Sequence, residues 1–118
     1  MLQLLPPEFE HKDSRRTLRQ LVTTDLKQVN TYQVSKGAIL GEHYHKVTFE
    51  YFYILKGSFL VVLRSVGTSE KRSKVVGKEG FFCVRPFIVH TVEALTNGEF
   101  MTFLTKAYTK ENPDTWKE

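Results

Sequence analysis

At 118 residues, 41% of them hydrophobic and 25% charged, the chain has the composition of one soluble globular domain: long enough for a single core and too short for two. The net charge of +4 leans toward anionic partners, but Lys and Arg are scattered along the chain rather than clustered, which argues against a nucleic-acid interface. A lone cysteine, Cys83, excludes an intrachain disulfide, and no apolar run nears the ~20 residues that span a bilayer. With prolines interrupting MLQLLPPEF and no basic leader before it, these features predict a cytoplasmic protein without a membrane partner.

Residues 1–17 mix apolar, proline and charged positions without a period and predict an arm that packs on the domain or on a second subunit. From Leu18 onward the pattern changes to short β-like runs. Strands are predicted near 18–22, 28–34, 38–44, 50–55, 58–65, 71–76, 80–84, 90–95 and 100–106. They are separated by residues that accept turn geometry, among them Lys36-Gly37, Lys56-Gly57, Gly67, Gly77, Pro86 and Asn97-Gly98. Helix signals are almost absent, residues 24–27 being the one doubtful patch, and nine Phe with five Tyr suit strands and a lined cavity. The expectation is an all-β sandwich or barrel. The runs at 50–55 and 58–65 are apolar on both faces. In a small barrel such strands need cover from outside, supplied by another subunit or by the N-terminal arm, and a homodimer is expected. The last twelve residues are polar and are predicted to lie on the surface with Trp116 as an anchor.

The stretch GAILGEHYHKVTFEYFYILKG, Gly37 to Gly57, carries the chemistry. Side chains alternate along a strand, so His43 and His45 face one way and Tyr44 the other. Residues 46–49 can turn the chain back and bring Glu50 to the same point, and His90 in FFCVRPFIVHTVEAL can reach it from across a barrel. Three imidazoles and a carboxylate form a ligand set for Fe, Mn, Ni, Co or Zn, without choosing among them. The rival use of the same residues is metal-free acid and base catalysis. His11, in the polar arm without a partner, reads as an ordinary surface residue.

The spacing Gly37, five residues, His43, one, His45, four, Glu50, six, Gly57 resembles without a gap the first signature of the cupin superfamily. The second signature is looser: Gly80, five residues, Pro86 agrees, but the following glycine is missing, His90 comes one residue early, and Phe81 stands where many cupins have an acidic residue. The resemblance implies a double-stranded β-helix, or jelly roll, with the metal inside. It implies a single cupin domain over 1–118, with an arm at 1–17, the barrel core at 28–106 and a polar tail at 107–118. KGAILGEHYHKVTFEYFYILKGSF, the run Thr91 to Leu95 and the closing Asn112-Pro113-Asp114-Thr115 also look like the cupins of sugar metabolism and of capsular polysaccharide epimerases. That similarity implies an isomerase or epimerase acting on a carbohydrate or nucleotide-sugar derivative by metal-assisted proton transfer. Tyr53, with Tyr51, is then the candidate for proton transfer, and Arg85, with Arg64, the candidate to hold an anionic group of the substrate. Packing aromatics and surface charges are the bland readings of these four, and a buried inert thiol that of Cys83. Two other functions fit the ligand set: an Fe(II)-dependent dioxygenase, and a non-catalytic sugar- or metal-binding module.

Overall fold

The structure, a computed structural model, describes residues 3–118. It contains ten strands in chain order: β1 (Phe9–Lys12), β2 (Thr17–Gln20), β3 (Gln28–Val34), β4 (Ile39–His43), β5 (Glu50–Lys56), β6 (Phe59–Ser65), β7 (Lys71–Val76), β8 (Phe81–Val84), β9 (Ile88–Ala94) and β10 (Gly98–Leu104). All nine strands expected from sequence are there, with ends displaced by at most two residues. No helix occurs among the described residues, and so none long and apolar enough to cross a membrane.

Two antiparallel sheets, in the orders β3-β10-β5-β8 and β4-β9-β6-β7, share one core. Alternation explains which residues enter it. From the first sheet come Phe52 and Ile54 of β5, Phe82 and Val84 of β8, and Phe100 of β10; from the second, Phe59 and Val61 of β6 and Val92 and Ala94 of β9. Phe52 stacks on Phe82 with centroids 4.8 Å apart, and Phe59 meets Phe100 edge-on at 5.3 Å across the two sheets. Phe59, Phe82 and Phe100 are fully buried, each stabilising the fold by roughly 2–3 kcal/mol. The aromatic cover of β5's outer face is supplied within the chain. Tyr51 stacks on Phe81 at 5.7 Å, and the Leu5 amide donates to the Phe81 carbonyl at 2.8 Å.

One strand was not legible from sequence. β1 pairs with β2 from Phe9↔Gln20 to Lys12↔Thr17, and all eight residues are exposed, so neither strand carries the one-sided burial that produces an alternating pattern. Its turn is closed by Asp13, whose carboxylate accepts from the amides of Arg15 and Arg16.

Candidate metal centre

The site is built where β4 meets β9. Leu40 pairs with Val92 and Gly41 with Thr91, but His43, not Glu42, pairs with His90. Glu42 is therefore an extra residue, a β-bulge, and both Gly41 (φ 100°) and Glu42 (φ 61°) have left-handed backbone. Leu40 faces inward beside Val92. Without the bulge Glu42 and Tyr44 would follow it inward, and the extra residue turns His43 and His45 to that side instead. A Cβ at Gly41 would lie 2.5 Å from the His90 carbonyl oxygen, so only glycine permits β4 to approach β9 this closely. Glu50 opens β5, and His90 is the third residue of β9 rather than its first.

The structure brings His43, His45, Glu50 and His90 together, with one donor atom from each within 4.8 Å of all the others. His45 is 4% exposed, Glu50 6% and His90 2%, while His43 is half-buried at the cavity wall. Glu50 Oε1 lies 3.0 Å from His45 Nε2 and 3.5 Å from His90 Nε2. The other nitrogen of each ring faces a backbone carbonyl: His45 Nδ1 lies 2.8 Å from Asp114 O, and His90 Nδ1 3.3 Å from Ile88 O. A carbonyl only accepts, so both Nδ1 atoms carry the proton and both Nε2 atoms are turned toward the carboxylate. A lone pair facing a carboxylate is repulsive, and a positive species must lie between them: either the proton of an imidazolium or a metal ion. Metal-bound histidines are oriented in this way, the remote N–H held by a carbonyl. Bonds of about 2 Å put two ligands of an ion about 3–4 Å apart; Glu50 Oε1 already lies at that distance from His45 Nε2 and His90 Nε2, so this donor set fits a divalent ion.

Burial, then the neighbouring imidazoles, pushes His43 down to about 4, so that it is neutral at pH 7. Burial also opposes charge on Glu50 and His45, but hydrogen bonding reverses the outcome: His45 and His90 hold the Glu50 carboxyl down to about 2, and Glu50 with the Asp114 carbonyl raises His45. A pH effect follows. Glu50 is lowered from 4.5 to about 2, so its contribution is complete above about pH 4.5 and is lost as pH falls toward 2. In the metal-free protein this is worth about 3 kcal/mol. Denaturant midpoints are expected to fall steeply between about pH 4.5 and 2, and less steeply in Glu50→Gln. An equally steep fall in that variant would remove the carboxylate as the cause.

A cavity of about 560 Å³ opens above the cluster, within the range of small-ligand sites. Its floor is Phe52, 6.2 Å from the His90 ring, with Phe100 and Leu104; its wall is Leu40 and Val92; its polar lining is Gln28, Asn30, Thr31, Tyr32, Tyr108 and Thr115. Sequence reasoning singled out none of these polar residues. Tyr32 stacks on Phe100 at 4.6 Å, and burial together with the Glu50 charge raises its phenol, so it remains protonated at neutral pH.

Tyr53 and Arg85 are not brought to the histidines. Glu50, Phe52 and Ile54 point into the barrel, so Tyr51 and Tyr53 point out, against Phe81. Arg85 is exposed beside an outer hollow that also takes in Tyr51 and Cys83, whose thiol burial pushes up to about 11. Arg64 pairs with Glu118, and His11 sits exposed beside Asp13. The tail is not wholly a surface feature: Trp116 exchanges backbone hydrogen bonds with Tyr44, and Asp114 is 4% exposed.

Residues 11–116 match the family described as polysaccharide biosynthesis C-terminal domain. No curated protein matches the chain by sequence. The fold is similar to that of QdtA, a sugar 3,4-ketoisomerase from Thermoanaerobacterium thermosaccharolyticum solved in complex with TDP, at 17% identity, 99% of this chain, 88% of that one and a TM-score of 0.80. It is similar to a 3,4-ketoisomerase from Helicobacter canadensis at 14% identity, 99% and 90% coverage and a TM-score of 0.81. It is also similar to the capsular polysaccharide assembling protein CapF from Staphylococcus aureus, at 21% identity, 92% of this chain and a TM-score of 0.73. The chain spans about a third (33%) of the length of CapF. With its two four-stranded antiparallel sheets the chain has the cupin-type jelly roll that its first signature implies.

Proposed function

The chain belongs to the polysaccharide biosynthesis C-terminal domain family, and from that membership and the chemistry of the site we propose that it is an isomerase or epimerase of a nucleotide-linked sugar. In this reading His43, His45, Glu50 and His90 hold a divalent transition metal. The observation that carries it is the pair of Nε2 atoms turned onto a buried carboxylate at the base of a sugar-sized cavity. The two similar structures that this chain covers almost end to end are of 3,4-ketoisomerases, which supports the reaction class.

Held by these four residues, such an ion would polarise a substrate carbonyl and acidify the C–H beside it. The chain's own residues do the rest. Phe52, Phe100 and Leu104 pack against the sugar ring and exclude water, while Gln28 and Asn30, on the inward face of β3 with Tyr32, exchange hydrogen bonds with its hydroxyls. Tyr32 keeps its phenolic proton and presents it to a substrate oxygen, the role that Tyr53 cannot fill from the outer face. The exposed β1–β2 hairpin, with Phe9 and Leu18 uncovered, supports a second copy of the chain as partner.

The test is to purify the protein without chelator, measure its metal, and offer a TDP-linked 4-keto-6-deoxy sugar, the kind of ligand seen in QdtA, in D2O without oxygen. Product carrying solvent deuterium at the carbon beside the carbonyl is the expected result. Turnover that needs iron and oxygen would transfer the assignment to a dioxygenase, and tight binding without product under any metal to a binding module.

A further inference from the structure

We infer that Asp114 is a positioning residue for this centre, setting both the tautomer of His45 and the separation of His45 from Glu50. The inference rests on the metal reading for its purpose, but its geometry stands apart from it. Asp114 lies 69 residues from His45 in sequence, in a tail that composition alone assigns to the surface. It is 4% exposed, and its φ of 48° lies in the left-handed region, uncommon for a non-glycine residue although Asp enters it more readily than most.

Its surroundings hold it there. The Asp114 carboxylate accepts hydrogen bonds from the amides of Lys46 (2.9 Å), Val47 (3.0 Å) and Thr48 (2.8 Å), from Thr48 Oγ1 (2.7 Å) and from Trp116 Nε1 (3.1 Å). The remaining amide of the loop, that of Phe49, donates to Thr105 Oγ1 at 2.9 Å. Every N–H between His45 and Glu50 is thus taken, three of them by one carboxylate. The loop that joins two of the four donors is thereby tied down at each of its four amides. The same residue's carbonyl accepts the His45 Nδ1 proton at 2.8 Å, which turns Nε2 onto Glu50. Trp116 locks this arrangement from outside, paired with Tyr44 through its backbone and covered by the Lys46 ammonium 3.7 Å from its ring centroid. A residue that merely fastened the tail would need the carboxylate contacts but not the carbonyl on His45.

The test compares wild type, Asp114→Asn and Thr48→Val at one pH, reading the hydrogen-bonded Nδ1 proton of His45 by 15N-edited NMR on metal-free protein and Co(II) affinity by titration. Thr48→Val removes a single contact to the carboxylate and keeps the side-chain shape. It serves as the deciding variant if Asp114→Asn fails to fold. The expected result is a protected His45 Nδ1 proton in wild type that is lost to exchange in Asp114→Asn. Co(II) affinity should fall about 10- to 100-fold, as for other residues that orient a ligand, with a shifted visible spectrum and a smaller loss in Thr48→Val. An Asp114→Asn protein with lowered thermal stability but the wild-type His45 resonance and Co(II) affinity would overturn the inference. Should wild type itself take up no Co(II), the metal reading falls, and the His45 resonance alone decides: loss in the variants supports positioning, and persistence overturns it.

Discussion

Gly41→Ala is expected to abolish stoichiometric metal uptake and to destabilise the fold by about 3 kcal/mol or more, whereas Gly37→Ala is expected to cost only about 1 kcal/mol and leave uptake intact. Both glycines have positive φ, 100° and 88°, so both substitutions meet the same conformational penalty. They differ in space. Nothing lies within 4 Å of a Cβ at Gly37, but one at Gly41 meets the His90 carbonyl oxygen at 2.5 Å and the Thr91 Cα at 3.4 Å. Backbone atoms cannot swing aside as a flexible side chain does. The strain is relieved only by parting β4 from β9, which carries His43 away from His90, or by losing the bulge, which turns both histidines outward. Thermal melts and elemental analysis of the two variants check this. Equal behaviour of the pair would show that the close approach to His90 is not needed.

The second large effect separates binding from stability at the histidines. His43→Ala is expected to lower metal affinity more than about 100-fold, beyond what residues behind the ligands cost, while leaving the melting temperature nearly unchanged. His43 is neutral and half-buried and makes no ion pair with Glu50. His45→Ala is expected to lose affinity to the same degree and also about 3–5 kcal/mol of stability. It leaves the Glu50 carboxylate, 6% exposed, without its 3.0 Å partner in a site that desolvates it. Metal analysis and urea denaturation on the two single variants and on the double His43→Ala, His45→Ala variant provide the check. Stoichiometric metal in the double variant would sink the ligand assignment.

The contrast between these residues also marks what was legible in the sequence. Strand positions were clearest where alternate residues are buried, as in β3, β5, β6, β9 and β10; β1 was not, because four residues exposed throughout leave no such imprint. The spacing of His43, His45 and Glu50 could be read from residue types alone. That their side chains turn inward could not, since it depends on Glu42 dropping out of register, and the only local trace of this is Gly41. Tyr53 lies away from the histidines for a reason of parity: a residue three positions on from Glu50 sits on the opposite face of the same strand. Asp114 was visible only as one of four residues in a familiar closing string. Its work is done on amides nearly seventy positions away, a separation that no local pattern reports.

That separation bears on how the protein is made. During synthesis His43, His45 and Glu50 leave the ribosome long before His90, and longer still before the segment through Trp116 that closes over the loop between them. β3, at the edge of its sheet, meanwhile must wait for β10, the strand it pairs with among the described residues. Such long-range pairing is the slow step of β-rich folding. An ion that meets the nascent chain early finds three unanchored donors on a mobile loop, competing with water and with any other chelator in the cell. In the proposed metal reading, uptake belongs to the end of maturation, and supplying metal during translation should speed the appearance of loaded protein no more than supplying it afterwards.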